Sequence, residues 1–207
     1  MTTILLIRHA VNDYVKTGQL AGWIPGIHLN DEGQSQAEAL GRRLGNIPIQ
    51  QLYSSPLERA LETAQAIQRH QTRLEIRVSE PIAEVRYGDW EGMSLATLRQ
   101  RKMWTLLQEH PAQVGFPNGE TLRAAQTRAV DEIERLIKKH PQEMMALVSH
   151  GDIIRMVLAH YLGMHLDHFQ RIIILPASIS MLVLGPDRPG VMTMNDVAHL
   201  LPLESKP

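Results

Sequence analysis

The chain has no cysteine, which removes disulfides, zinc ribbons, iron–sulfur clusters and a thiolate nucleophile together. It has almost no net charge, 21 basic against 22 acidic side chains, so there is no basic field to attract nucleic acid or an anionic membrane. Neither partner is expected. It lacks a long apolar run: the richest stretch, Ile172 to Leu184, is interrupted by Pro176, Ser178 and Ser180 and is too short to span a bilayer. Met1-Thr2-Thr3 carries no charged n-region before an apolar h-region, so no secretory signal is visible and a cytoplasmic protein is expected. Repeats, low-complexity tracts and Gly/Ser linkers are missing too, and one continuous domain over residues 1–207 is expected. Aromatic residues make up only 4% of the chain, and the ten Met read as core filling.

What is present is a globular composition, 207 residues of which 43% are hydrophobic, together with ten His. The run Ile4-Leu5-Leu6-Ile7 is apolar on both faces and stops at Arg8-His9, as a central parallel strand would. Asn30 reads as an N-cap, followed by Ala37, Leu40, Gly41 and Leu44 at helical spacing. Ile47 to Tyr53 reads as a second strand. Ser55-Pro56-Leu57-Glu58 then has the capping-box pattern with Pro at the first helical position, before a helix with Leu57, Leu61, Ala64 and Ile67 on one face. Arg73 to Val78 alternates like a strand. Ser94 opens a helix that ends near His110-Pro111, and a longer one runs from about Glu120 to His140-Pro141. Met144 to Val148 is a buried-type strand, and Gly151 to Leu162 an apolar helix. Ile172–Leu175, Ile179–Leu184 and Val191–Met194 read as late strands, the last two joined in a hairpin around Gly185-Pro186-Asp187. Alternating strands and helices predict a three-layer α/β/α sandwich with a mostly parallel central sheet.

In such sheets ligands bind beyond the carboxyl ends of the strands. Three of those ends are unusual here. One is Arg8-His9. The second is Ser54-Ser55-Pro56, with Arg59 in the first turn of the next helix. The third is Ser149-His150-Gly151, with Asp152 and a helix behind it. Alone, a His after a strand is most often structural, and Arg59 reads as a solvated helix residue. Together they gather two Arg, two His and two helix N-termini at one edge. That set suits a phosphoryl group: guanidinium forks match its oxygens, and helix N-termini offer free N–H donors. One neutral imidazole can attack phosphorus while a second donates to the equatorial oxygens. Phosphomonoester cleavage also needs an acid for the departing alkoxide. Glu84, in the loop Ala83-Glu84-Val85-Arg86-Tyr87-Gly88-Asp89-Trp90-Glu91-Gly92, is the candidate. Trp23 and Trp90 stand in loops that either rim the pocket or anchor loops in the core. Tyr87 and Asn118 are candidate substrate contacts. His160, His165 and His168 could suggest a metal, but spacings of five and three with Gly163 between them do not put them on one helical face.

Arg8-His9, Ser54-Ser55-Pro56-Leu57-Glu58-Arg59-Ala60, Glu84 with Gly88-Asp89-Trp90-Glu91-Gly92, Pro117-Asn118-Gly119-Glu120-Thr121 and Ser149-His150-Gly151 resemble the histidine phosphatase superfamily, also called phosphoglycerate mutase-like. They stand in that family's order and spacing over roughly residues 3 to 185. The resemblance implies that His9 is the nucleophile that becomes phosphohistidine. It implies that Arg8, Arg59 and His150 form the phosphate pocket with Gly151 at the helix start, and that Glu84 is the proton donor. It implies no metal and no organic cofactor. The Leu20-Ala21-Gly22-Trp23-Ile24-Pro25-Gly26 loop resembles a bacterial subgroup labelled mutase-like. Two departures stand out. Ala10 takes the place of the family's usual Gly, which is tolerable if its φ is negative and straining if it is positive. The next residues are Val11-Asn12-Asp13-Tyr14, of which Asn12 is a candidate phosphate contact. The chain lacks the longer basic insertion of phosphoglycerate mutases between Glu84 and His150, so the phosphatase branch is expected. A phosphomutase is the runner-up, and Ala10 keeps a catalytically weak phospho-ligand-binding protein in view. The expected partner is a small-molecule phosphate ester: a sugar phosphate, a phosphoglycerate or a nucleotide-derived ester. A homodimer is allowed by the sequence, which does not set the oligomeric state.

Overall fold

A computed structural model describes residues 1–185 and 189–201. Its strands are β1 (Thr2–Arg8), β2 (Gln51–Ser54), β3 (Ile76–Val78), β4 (Met144–Ser149), β5 (Ile179–Leu184) and β6 (Gly190–Asp196). They form one sheet in the order β3-β2-β4-β1-β5-β6. The four strands from β3 to β1 are parallel, while β5 and β6 run antiparallel at one side. The turn expected around Gly185-Pro186-Asp187 falls at Pro186 and Asp187 outside the described residues.

The unbroken apolar run of β1 is explained by burial on both faces. Ile4 and Leu6 point into one core, shared with α6 (Leu122–Lys139) and α7 (Gly151–Tyr161). Leu5 and Ile7 point into the other, shared with α2 (Asp31–Leu44) and α3 (Glu58–His70). This is the three-layer sandwich expected. Asn30 caps α2 as expected, its side chain accepting from the Gly33 N–H at 2.9 Å. His110 and His140 end α5 (Lys102–Glu109) and α6.

Three local expectations need correction. The helix expected from Ser94 to His110 is two pieces, α4 (Leu95–Leu98) and α5, separated by Arg101 in an extended conformation. Ser55-Pro56-Leu57-Glu58 makes no capping box: Leu57 is the N-cap and Pro56 lies outside the helix. The Ser55 hydroxyl serves the His150 ring instead, and the Glu58 carboxylate accepts from the Gly26 N–H at 2.9 Å. Ile172 to Leu175 is not a strand. Its burial does alternate, with Ile172 and Ile174 inside and Ile173 and Leu175 outside. Yet two of its backbone groups go to side chains: the Ile174 carbonyl accepts from Arg8, and the Leu175 N–H donates to Asn195. Among the described residues no helix is long and apolar enough to cross a membrane.

One glycine in the Glu84 loop is required by close packing. Gly88 has φ +55°, and a Cβ there would lie 2.1 Å from the Pro117 carbonyl oxygen. Gly88→Ala is therefore expected to destabilise the fold by roughly 2–3 kcal/mol, at the upper end of ordinary point substitutions. Urea melts of the two proteins measure this. A change within ±0.5 kcal/mol would mean that the loop packs less tightly than the structure indicates.

Candidate active site

The ends of β1, β2 and β4 meet because the three strands are neighbours in parallel register, with Arg8 opposite Ser149. His9 follows β1 and is buried. Its Nδ1 lies 2.7 Å from the Ala10 carbonyl oxygen, so Nδ1 carries the proton and Nε2 keeps its lone pair. His150 N-caps α7 with its ring 5.2 Å, centroid to centroid, from that of His9. Its Nε2 sits 2.7 Å from the Ser55 hydroxyl, and its Nδ1 has no protein partner. Desolvation, with Arg59 and Arg8 nearby, holds the pKa of both imidazoles well below the ordinary histidine value. Both rings are therefore neutral at physiological pH.

Arg59 is buried and Arg8 half-buried, and both have buried donors to spare. Arg59 is 1% exposed; one terminal nitrogen donates to the Gly22 carbonyl at 2.8 Å, while its Nε and the other terminal nitrogen have no acceptor. Arg8 donates to Ile174 at 2.6 Å and leaves Nε free. Gly151 opens α7 beneath it, where a Cβ would be 3.3 Å from the Arg8 guanidinium carbon. Asn12 caps α1 (Asp13–Thr17) through Oδ1, and its buried Nδ2 is unpartnered. Free buried donors of this kind cost stability unless an anion or water takes them.

Glu84 lies across the site. One oxygen accepts from the Val85 N–H at 3.0 Å; the other is 4.0 Å from His150 Nδ1, beyond hydrogen-bond reach. Burial first, and then the Asp152 carboxylate, push its pKa up to about 7, against the pull of Arg59 and Arg8. Asp152 accepts from the Tyr87 hydroxyl at 2.8 Å and from Arg155 at 2.9 Å. Arg8, His9, Asn12, Arg59, Glu84 and Gly151 all line one cavity of about 420 Å³. His150 stands behind it, fully buried.

The strand-end residues of the sequence reading thus come together. Ala10 is buried, is not in the left-handed region, and donates its N–H to Thr63, so its methyl causes no strain. Asn118 does not reach the cavity; it donates to Asp89. Trp90 is a buried anchor, whereas Trp23 donates its indole N–H to the Glu84 carbonyl at 2.6 Å and stacks under Arg86. Sequence reasoning named Ser55 and Asp152 at the strand ends without giving either a role, and missed Arg128. Arg128 projects from α6 and donates to the carbonyls of Pro81, Ala83 and Glu84 and to the Glu120 carboxylate. The Pro117–Thr121 motif therefore serves to clamp the Glu84 loop. No local pattern marks Arg128, because its partners are remote in sequence. Among the described residues no cluster of His, Asp and Glu is arranged to hold a metal.

The chain is similar to known proteins. Phosphoserine phosphatase 1 of Hydrogenobacter thermophilus is 28% identical over 209 residues, covering 97% of this chain and 95% of its own. A metal-independent phosphoserine phosphatase of Arabidopsis thaliana is 28% identical over 162 residues, covering 76% of this chain and 67% of its own. A solved mutant phosphoserine phosphatase of Entamoeba histolytica, in complex with phosphoserine, superposes with a TM-score of 0.87 at 25% identity, over 97% of this chain and 100% of that one. The model of the histidine phosphatase superfamily (branch 1) matches residues 4–197, and the chain belongs to that superfamily.

Proposed function

We propose that the chain is a metal-independent phosphoric monoester hydrolase that works in two steps through a phosphohistidine on His9. The observation that carries this reading is the His9 ring, fixed by the Ala10 carbonyl with Nε2 unprotonated, among buried donors of Arg8, Asn12 and Arg59 that have no protein acceptor. Those donors would hold the nonbridging oxygens of a phosphoryl group. The Ser55 hydroxyl can donate to His150 Nε2, which places the ring proton on Nδ1 as one more donor.

In the first step Nε2 of His9 bonds to phosphorus as the ester P–O bond breaks. Glu84, protonated below about pH 7, gives its proton to the departing alkoxide oxygen. The carboxylate formed then takes a proton from water as that water attacks the phosphohistidine. Inorganic phosphate leaves, and His9 and protonated Glu84 are restored. The arginines stay charged throughout and spread the transition-state charge.

Phosphate release from an aryl phosphate in excess chelator tests the reading. Turnover unaffected by chelator is expected; loss of turnover, restored by a divalent ion, would refute metal independence. Transfer of the phosphoryl group to a second alcohol in place of water would instead identify a mutase.

The sign of the pH dependence follows from Glu84. For an alkyl phosphate, kcat/KM should fall as pH rises through about 7, because the acid form of Glu84 is lost. The ester's own second ionisation, near pH 6, shapes the acid side. Asp152→Asn removes a negative charge that raises the Glu84 pKa, so the alkaline limb should move to lower pH. An unchanged limb in Asp152→Asn would rule out this coupling.

A further inference from the structure

The nine aromatic residues of this chain are distributed unevenly. Tyr14, Tyr87, Trp104 and both phenylalanines, Phe116 and Phe169, line the one cavity that holds His9 and Arg59. Trp90 backs this wall: it stacks on Trp104 with ring centroids 6.3 Å apart and meets Phe116 edge-on at 5.4 Å. The core between the sheet and α2–α3 contains no aromatic side chain at all. Tyr53, Tyr87, Trp90, Phe116 and Phe169 are buried in the core on the other face of the sheet, as scarce large apolar residues ordinarily are. Phe116 and Phe169 are buried and could serve packing alone. Tyr14 on α1 and Trp104 on α5 are only half-buried and come from separate segments, yet both present surface to the same cavity.

Size points the same way. The cavity of about 420 Å³ lies in the ~300–1,000 Å³ range of sites for drug-sized ligands. A phosphoryl group beside His9 fills one end of it, and a serine or glycerate body adds few atoms. On the nearby wall Arg155 pairs with Asp152, and Arg99 is an exposed lining residue. The part of the remaining surface formed by Tyr14 and Trp104 is suited to a flat apolar group.

We propose that the leaving group of the natural substrate carries an aromatic ring that packs against Trp104 and Tyr14, so that the substrate class is ring-bearing phosphate monoesters rather than esters of the size of phosphoserine. This rests on the phosphatase reading above and names the substrate class of that site.

Binding to a His9→Ala variant tests the proposal without turnover. The probes are 2-phenylethyl phosphate and adenosine 5′-phosphate, each compared with ethyl phosphate, and all esters of primary alcohols. At least one ring-bearing ester should bind tenfold or more tighter than ethyl phosphate, equivalent to about 1.4 kcal/mol. The adenosine arm tells a nucleobase from a hydrocarbon ring. Adding Trp104→Ala should collapse that ratio below about threefold, whereas Trp104→Phe should retain it. Equal affinity for ring-bearing and ethyl esters would overturn the proposal, as would a Trp104→Ala variant that weakens all esters in proportion. The two readings fail separately. A wild-type protein that hydrolyses esters without ring preference overturns only this proposal; ring-selective binding without hydrolysis overturns only the phosphatase reading.

Discussion

His9→Ala is expected to lower kcat for every phosphate ester by at least about 10⁴-fold, the scale on which removal of a covalent nucleophile acts. His9 is the side chain whose nitrogen lone pair is held ready by a bond to the other ring nitrogen and surrounded by unpartnered cationic donors. His150 is the nearest alternative, but its Nε2 is committed to Ser55 and it stands behind the cavity wall rather than in it. The same substitution should leave phosphate binding within about tenfold, because Arg8, Arg59 and Asn12 keep their own anchors. Steady-state kinetics with an aryl and an alkyl phosphate, together with phosphate titration of the variant, measure both halves. Residual turnover above about 1% of wild type would remove His9 from the role of nucleophile.

Glu84→Gln has the second-largest expected effect, and its size should depend on the substrate. An alkoxide is a poor leaving group and needs the proton, so kcat for an alkyl phosphate should fall about 10²–10⁴-fold. An activated aryl leaving group departs without it, so formation of the phosphoenzyme from an aryl phosphate should be little affected. Hydrolysis of phosphohistidine needs the base, which Gln cannot supply, and phosphoenzyme should accumulate with the aryl substrate. Burst kinetics with quenched-flow sampling read both steps. Equal loss for aryl and alkyl esters in the first step would mean that Glu84 positions substrate rather than transferring a proton. The isosteric amide keeps the hydrogen bond from the Val85 N–H, so a folding defect is not expected.

The site was legible where the sequence breaks its own local rules. An apolar strand that ends in Arg8-His9, and Ser149-His150-Gly151 between a strand and a helix, place costly polar residues where the sheet topology concentrates ligands. The same use of residues for chemistry hid other features. Ser55 and Glu58 have the pattern of a capping box, yet Ser55 orients His150 and Glu58 ties down the Gly26 loop, so α3 starts without a side-chain cap. Ile172 to Leu175 shows that two-residue periodicity reports burial and not pairing: β5 already occupies the edge of β1 that this segment would need. The break between α4 and α5 has no Gly or Pro to announce it. The roles of Asp152 and Arg128 were not legible because they are set by partners brought from distant segments, Tyr87 in one case and the Glu84 loop in the other. The aromatic scarcity noted at the outset acquires meaning only in three dimensions, where Tyr14 and Trp104 meet at one cavity.

The central claim is a covalent phosphoryl transfer to His9, and it can be read directly. Wild-type protein mixed with an aryl phosphate, quenched in alkali within its first turnovers and digested, should carry an acid-labile phosphoryl group on the peptide that contains His9. The His9→Ala variant should carry none. Sustained turnover with no label on that peptide, or with the label on another residue, would contradict the account.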